Sequence, residues 1–402
     1  MLLALLLTAA LAPDTLPTPE VSTARDVSIV VHRQPAVPIV ALRVSLLADD
    51  PPGYAGAGHK LQHVLLPGLQ QRAARVGGRV QVARNSDALV YTLTGPATEL
   101  PYLAGIIRTA LRPRILEATE LLQARYDLDE ERKAEWEQAD AHVRSALRAS
   151  LFPQDMPAAG TLTSALRLEG GQLLSAWNYM YRPERISVVA IGDVAASDVE
   201  NAFRDMGPLL GTGVGEVPLD DFAADTAVIT PAAVPQATRH WLGLGFSLSN
   251  VEPAAVSITA RLLQKLIQQN IRTAQVTADH WWTHHGQAIA LVMASSTARP
   301  ASLAAPATAA IERLQDALDD EQIRVVATEI QREMLFASRT PERMAEIVGQ
   351  FVDRSRDPNA AQQFYTRLAR VNEREIRRVL TAMMVSPPQQ VEVPAQVLNV
   401  RR

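Results

Sequence analysis

His59 and His63 stand four residues apart in Gly58-His59-Lys60-Leu61-Gln62-His63. On a helix that spacing sets both imidazoles on one face, one turn apart, where they can share a metal ion. The turn-forming stretch Asp49-Asp50-Pro51-Pro52-Gly53 and Gly56 lead into the pair, and the apolar run Val64-Leu65-Leu66 follows it. The chain has no cysteine. Thiolate sites and disulfides are therefore excluded, and any metal must take histidine and carboxylate ligands. Gln62 stands beside His63. A carboxylate there could accept a proton from water, whereas an amide has no useful basicity and can only hydrogen-bond it.

The elements that position this pair follow from periodicity and turn residues. Val27 to His32 and Val37 to Leu46 predict two strands. The helix with the histidines is expected from about Ala57 to Gln71, and the segments Arg79 to Ala83 and Ala88 to Thr94 as a hairpin. Glu99 to Leu111 predicts an amphipathic helix, and Ile115 to Leu151 one long charged helix or two with a break. Gly170 to Tyr181 predicts a helix and Ile186 to Ile191 a buried strand, followed by a helix capped by Ser197. The second half repeats the pattern: a strand at Arg239 to Phe246, a helix at Glu252 to Gln269, and two strands around Gly286. A Pro/Ala-rich loop at 299–306, a run of helices and a last strand at Gln390 to Leu398 complete it, that strand at a sheet edge because Pro394 lies inside it. The fold class is α+β, with two homologous domains, each a mainly antiparallel sheet packed with helices.

The 402 residues suffice for two domains, and 47% apolar with 20% charged residues supplies a sizeable core. The net charge of −4 gives no reason to expect nucleic acid. Met1 to Ala12 resembles the apolar core of an export signal, without a basic residue before it, and is too short for a permanent membrane span. The expected divisions are a signal and disordered lead at 1–23, a first domain at 24–207, a Gly/Pro/Ala-rich linker at 208–236 and a second domain at 237–402. A periplasmic or secreted location follows from the signal.

Four passages are similar to the pitrilysin/insulinase family of metallopeptidases, in its two-domain processing-peptidase branch. Asp49-Asp50-Pro51-Pro52-Gly53 running into His59-Lys60-Leu61-Gln62-His63 resembles the family's acidic turn and its inverted zincin motif, H-x-x-E-H. Tyr181-Arg182-Pro183 with Val188-Val189-Ala190-Ile191-Gly192-Asp193 resembles the signature closing the first domain. Leu242-Gly243-Leu244-Gly245-Phe246 and Ser338-Arg339-Thr340-Pro341-Glu342-Arg343 resemble later landmarks. The resemblance implies two domains enclosing a chamber, and zinc held by His59, His63 and a glutamate of the following long helix, Glu131 or alternatively Glu130. It implies peptide or unfolded polypeptide as ligand, and a homologous peptidase subunit or a second copy as partner.

Departures from the family pattern concern chemistry. Gln62 replaces the general base. Seven residues before Glu131, where the family has a second acid, stands Ala124, and Gln123 stands seven before Glu130. Arg272 fits the family's substrate-binding arginine, but Gln275-Val276-Thr277-Ala278 contains no tyrosine, and Gln81-Val82-Ala83 replaces an Asn-Ala pair. The expectation is therefore a weak or inactive peptidase-like protein that binds peptides as the partner of an active subunit. The alternatives are an active zinc endopeptidase with another carboxylate as base, and an envelope scaffold without peptidase function. His280, His284 and His285 are read as part of a strand that packs Trp281 and Trp282, with strand alternation sending His284 and His285 to opposite faces.

Overall fold

The computed structural model describes residues 16–24, 26–48, 50–51, 53–85, 87–153, 162–204 and 237–395. The export signal and the 208–236 linker lie outside the described residues. The first half runs β1 (Glu20–Ala24), β2 (Val27–Arg33), β3 (Ile39–Leu46), α1 (Ala57–Ala74), β4 (Arg79–Arg84) and β5 (Leu89–Pro96). It continues with α2 (Leu100–Ala110), α3 (Ala118–Glu137), α4 (Ala139–Leu151), α5 (Leu162–Arg167), α6 (Gly170–Met180), β6 (Ile186–Gly192) and α7 (Ala196–Phe203). The second half runs β7 (His240–Leu248), α8 (Pro253–Asn270), β8 (Ala274–Thr283), β9 (Gly286–Ser295) and α9 (Pro300–Asp316). Then come α10 (Asp320–Ala337), α11 (Pro341–Ser355), α12 (Ala360–Leu368), α13 (Glu373–Met384) and β10 (Gln389–Val393).

The internal repeat is visible in strand order. The first sheet is β1-β2-β6-β3-β5-β4 and the second β10-β7-β9-β8. The segment β6-β3-β5-β4 matches β10-β7-β9-β8 strand for strand in chain order, with α1 and α8 in equivalent places. Only β2 and β6 pair in parallel; the other described pairs are antiparallel. Every residue of β6 is buried, as expected of a central strand covered on both faces.

The two halves exchange helices. α4 of the first half packs on β7 and β10, and α11 of the second half packs on β3 and β6. The contacted strands are equivalent in the repeat, so the exchange is reciprocal. Val30, Ala41, Val189 and Ile191 of the first sheet join Met344, Val348 and Val352 of α11 in one cluster. Val143 and Leu147 of α4 meet Val292, Val391 and Val393 of the second sheet. Small residues permit this approach: a Cβ on Gly245 would lie 2.7 Å from Leu151 of α4, which explains the Gly243/Gly245 alternation in β7. A buried ion pair crosses the same junction, Arg43 Nη2 to Asp353 Oδ2 at 2.6 Å.

Several expectations need correction. Residues 20–23 are not part of a disordered lead: with Ala24 they form β1, which pairs with β2, and Leu16 is buried in the cluster under α11. The 299–306 stretch is helical, because Pro300 occupies the first turn, where no amide donor is needed, and the alanines that follow favour helix. Pro306 forfeits one hydrogen bond inside α9. The α7 N-cap is Ala195, with no side-chain cap, and Ser197 lies inside the first turn. β10 is an edge strand but ends at Val393, just before Pro394. The long charged segment divides into α3 and α4 at Gln138. Helix α5 has no counterpart among the elements expected from periodicity.

Because the junction between the halves buries a charge pair, removing one partner strands the other. Asp353→Ala is expected to lower unfolding free energy by about 3–5 kcal/mol in urea denaturation, with both halves lost in one transition.

Candidate metal centre

Helix α1 begins in a turn that its own N-cap cannot serve. Gly56 sits at φ 84°, in the left-handed region, and a Cβ there would meet the Ala165 Cβ at 2.6 Å. Glycine is required on both counts. The Asp50 carboxylate supplies the capping instead, accepting from the Gly56 N–H at 2.7 Å and the Gly58 N–H at 3.0 Å. Its charge also suits the positive end of the helix. Ala57, Leu61, Val64 and Leu65 anchor α1 in the core. Lys60 is buried too; its Nζ donates to the Leu168 carbonyl at 2.6 Å, and burial, together with Arg125, lowers its pKa.

This registration presents His59 and His63 to α3. Both rings are buried. Their Nε2 atoms lie 3.2 Å apart. On α3, Ala124 and Leu128 bury the inward stripe, and Glu131 comes one turn later on the same face. Its Oε2 is 3.0 Å from His59 Nε2 and its Oε1 3.4 Å from His63 Nε2. Hydrogen bonding to His59, then to His63, holds the Glu131 carboxyl far below the usual carboxylate range, against the opposing effect of burial. One donor atom from each of the three residues lies within 4.8 Å of the others. Two imidazoles and an ionised carboxylate converging on one point fit zinc, with room for a further ligand. Glu130 takes no part: it pairs with Lys133 at 2.7 Å.

The outer shell is uneven. Asp127, one turn before Glu131, places Oδ2 4.0 Å from His63 Nδ1. His59 Nδ1 is buried with no partner among the described residues. Such partners orient ligating histidines and raise their basicity, so His63 has an adjacent carboxylate and His59 has none. Asp127 is absent from the residues expected at the site; its i, i+4 spacing to Glu131 is the sequence signal that points to it.

Gln62 is committed elsewhere. Its Oε1 accepts the backbone N–H of Arg84 at 3.1 Å, tying α1 to the end of β4. Arg84 Nη2 also lies 4.0 Å from Asp50, both side chains nearly buried. Ala124, at the position of the family's second acid, is fully buried and offers no carboxylate. Arg272 lies exposed in the turn before β8, and no contact among the described residues joins it to His59, His63 or Glu131. On β8, Thr277 and Asp279 are taken by Arg144 of α4. Gln81, Val82 and Ala83 lie on β4, the edge strand beside α1.

The second histidine group is structural. β8 ends at Thr283, so His284 and His285 occupy the turn with rings 3.7 Å apart, rather than opposite strand faces. His284 donates its backbone N–H to Asp87 at 2.8 Å, with its Nδ1 at 2.8 Å from the same oxygen, joining the hairpin turns of the two halves. His280 lies between Ser257 and Gln287, and burial, with Arg354 nearby, pushes its pKa down to about 3. Trp281 and Trp282 do alternate: the first packs with Leu151 and Phe152, the second against Phe351.

No family model matches the chain, and no curated protein matches it. Solved structures do. A protease from Helicobacter pylori superposes with a TM-score of 0.79 at 14% identity, covering 94% of this chain and 99% of that one. An M16-like peptidase from Alicyclobacillus acidocaldarius gives 0.74 at 14% identity, covering 94% and 99%. A peptidase M16 inactive domain from Pseudomonas fluorescens gives 0.75 at 12% identity, covering 95% and 98%. The chain has the two-domain fold of M16-type peptidases, and the pitrilysin/insulinase resemblance carried by its motifs is borne out in that fold.

Zinc titration calorimetry is expected to show Glu131→Gln weakening zinc binding by at least about tenfold, while Glu130→Gln leaves it unchanged.

Proposed function

We propose that this chain is a peptidase-like protein of the pitrilysin/insulinase type that holds zinc and binds extended peptides but hydrolyses them weakly or not at all. The observation that carries this reading is the contrast between positions 62 and 131. His59, His63 and Glu131 converge as a ligand set, while the residue beside them is an amide already bonded to the Arg84 N–H. Zinc bound there would supply Lewis acidity to a carbonyl or to water. The protein's own part would be to orient and to bind. Glu131 stays ionised between the imidazoles, and Asp127 stands behind His63. Hydrolysis also needs a group that takes the proton of water and passes it to the leaving amine, a contribution of about 10²–10⁴-fold. Gln62 cannot make it, and Ala124 offers no substitute.

The sheet edge supports the peptide-binding part of this reading. β4 is the outermost strand of the first sheet and lies against α1. An extended segment adding to its free edge gains main-chain hydrogen bonds beside the histidines. Without its own base, such a subunit fits the role of partner to an active homologous peptidase, and the signal-like N-terminus fits export. No described helix is long and apolar enough to cross a membrane.

Fluorescence polarisation with an unstructured labelled peptide tests the binding half. The expected result is saturable binding that is lost when alternate peptide amides are N-methylated, because those amides can no longer donate to β4. Equal binding of every methylated peptide would overturn the strand-addition reading.

A further inference from the structure

The hydrogen-bond phase of β4 shows which groups its edge offers. Asn85 donates its N–H to the Ala88 carbonyl at 3.0 Å, so Asn85, Ala83 and Gln81 turn their backbone groups toward β5. Val80, Val82 and Arg84 turn theirs outward. The outward N–H of Arg84 is taken by Gln62. Val80 and Val82 remain, with no partner for their outward groups among the described residues. Gln62 thus marks where an added strand must stop.

Side chains on β4 alternate. Val80 and Val82 are buried toward α1, and Gln81 and Ala83 are exposed on the opposite face. On that face a polar cleft of about 340 Å³ opens between the sheet and α11, lined by Arg43, Gln81, Asn85, Thr92, Glu342 and Glu346 among others. Its arginines are engaged: Arg43 with Asp353 at 2.6 Å, and Arg343 with Glu346 at 2.6 Å. Glu342 has a looser neighbour, the largely exposed guanidinium of Arg79 at 4.0 Å, a pair worth little in solvent. Glu342 and Glu346 are one turn apart on the same face of α11.

We propose that this cleft is a side-chain subsite for a peptide paired with Val80 and Val82, and that it takes a lysine or arginine. The proposal rests on the strand-addition reading above. Cross-strand neighbours point to the same face, so the peptide residue opposite Gln81 extends over the cleft while its neighbours face the α1 side. A long cationic side chain reaches the acceptors that remain there: the Glu342 carboxylate, the Gln81 amide and the Thr92 hydroxyl. An acidic side chain would meet Glu342 instead, and a short apolar one would leave the acceptors to water.

Polarisation measurements with short fluorescein-labelled peptides, identical except for a single Lys, Ala or Glu at each position in turn, test this. At one position Lys is expected to bind about tenfold tighter than Ala, with Glu weaker still. Glu342→Gln should erase the Lys preference and leave the Ala peptide unchanged. Equal binding of Lys, Ala and Glu at every position, or a Lys preference that survives Glu342→Gln, would overturn the subsite. If binding is equal across the set yet still lost on N-methylation, strand addition stands and the subsite alone falls. If no peptide binds, both fall.

Discussion

One carboxylate placed between two imidazoles is the constraint on which the rest of the structure converges. Glu131 approaches His59 and His63 from a different helix, so α1 and α3 must hold register to a fraction of a turn. The α1 side is fixed by Asp50 at the helix start and by the glycine turn packed under α5. The α3 side is fixed by the buried stripe of Ala124 and Leu128. Beyond both lies the exchange of α4 and α11 between the halves, sealed by Arg43 and Asp353. The ligand set is therefore held in place by the whole two-sheet body.

The neighbouring position carries the amide of Gln62. A single neutral hydrogen bond such as that from the Arg84 N–H to Gln62 contributes roughly 1 kcal/mol to stability. Loss of a general base costs about 10²–10⁴ in rate, or roughly 3–5 kcal/mol at the transition state. The amide makes a modest local tie and has no basicity with which to supply that larger effect. Gln62 is not among the converging donors, which are His59, His63 and Glu131. The same Gln62 side chain that has no basicity to offer also occupies the outward N–H of Arg84 at the end of β4.

Much of this was legible in the sequence where chemistry is local. The i, i+4 histidines, the glycine turn and the apolar runs of β3, β5 and β6 prescribe their own conformations. The match between the halves could be read from the strand-helix-strand order alone. Other features depended on contacts distant in sequence. β1 is a short, partly exposed segment held as a strand by its pairing with β2 and its packing against α7. The helicity of 300–306 was masked by prolines, one of which merely occupies a helix start. The choice of Glu131 over Glu130 turns on which face of α3 meets α1, and Lys133 settles the fate of the other carboxylate. The bond from Arg84 to Gln62 spans elements that no local pattern connects.

The most direct measurement follows an unstructured peptide by mass spectrometry during incubation with zinc-loaded protein, comparing the wild type with Gln62→Glu. The account predicts that the wild type leaves the peptide essentially intact, while the variant cleaves it at least about 10²-fold faster in a zinc-dependent reaction. Zinc-dependent cleavage by the wild type at the rate of the variant would contradict it.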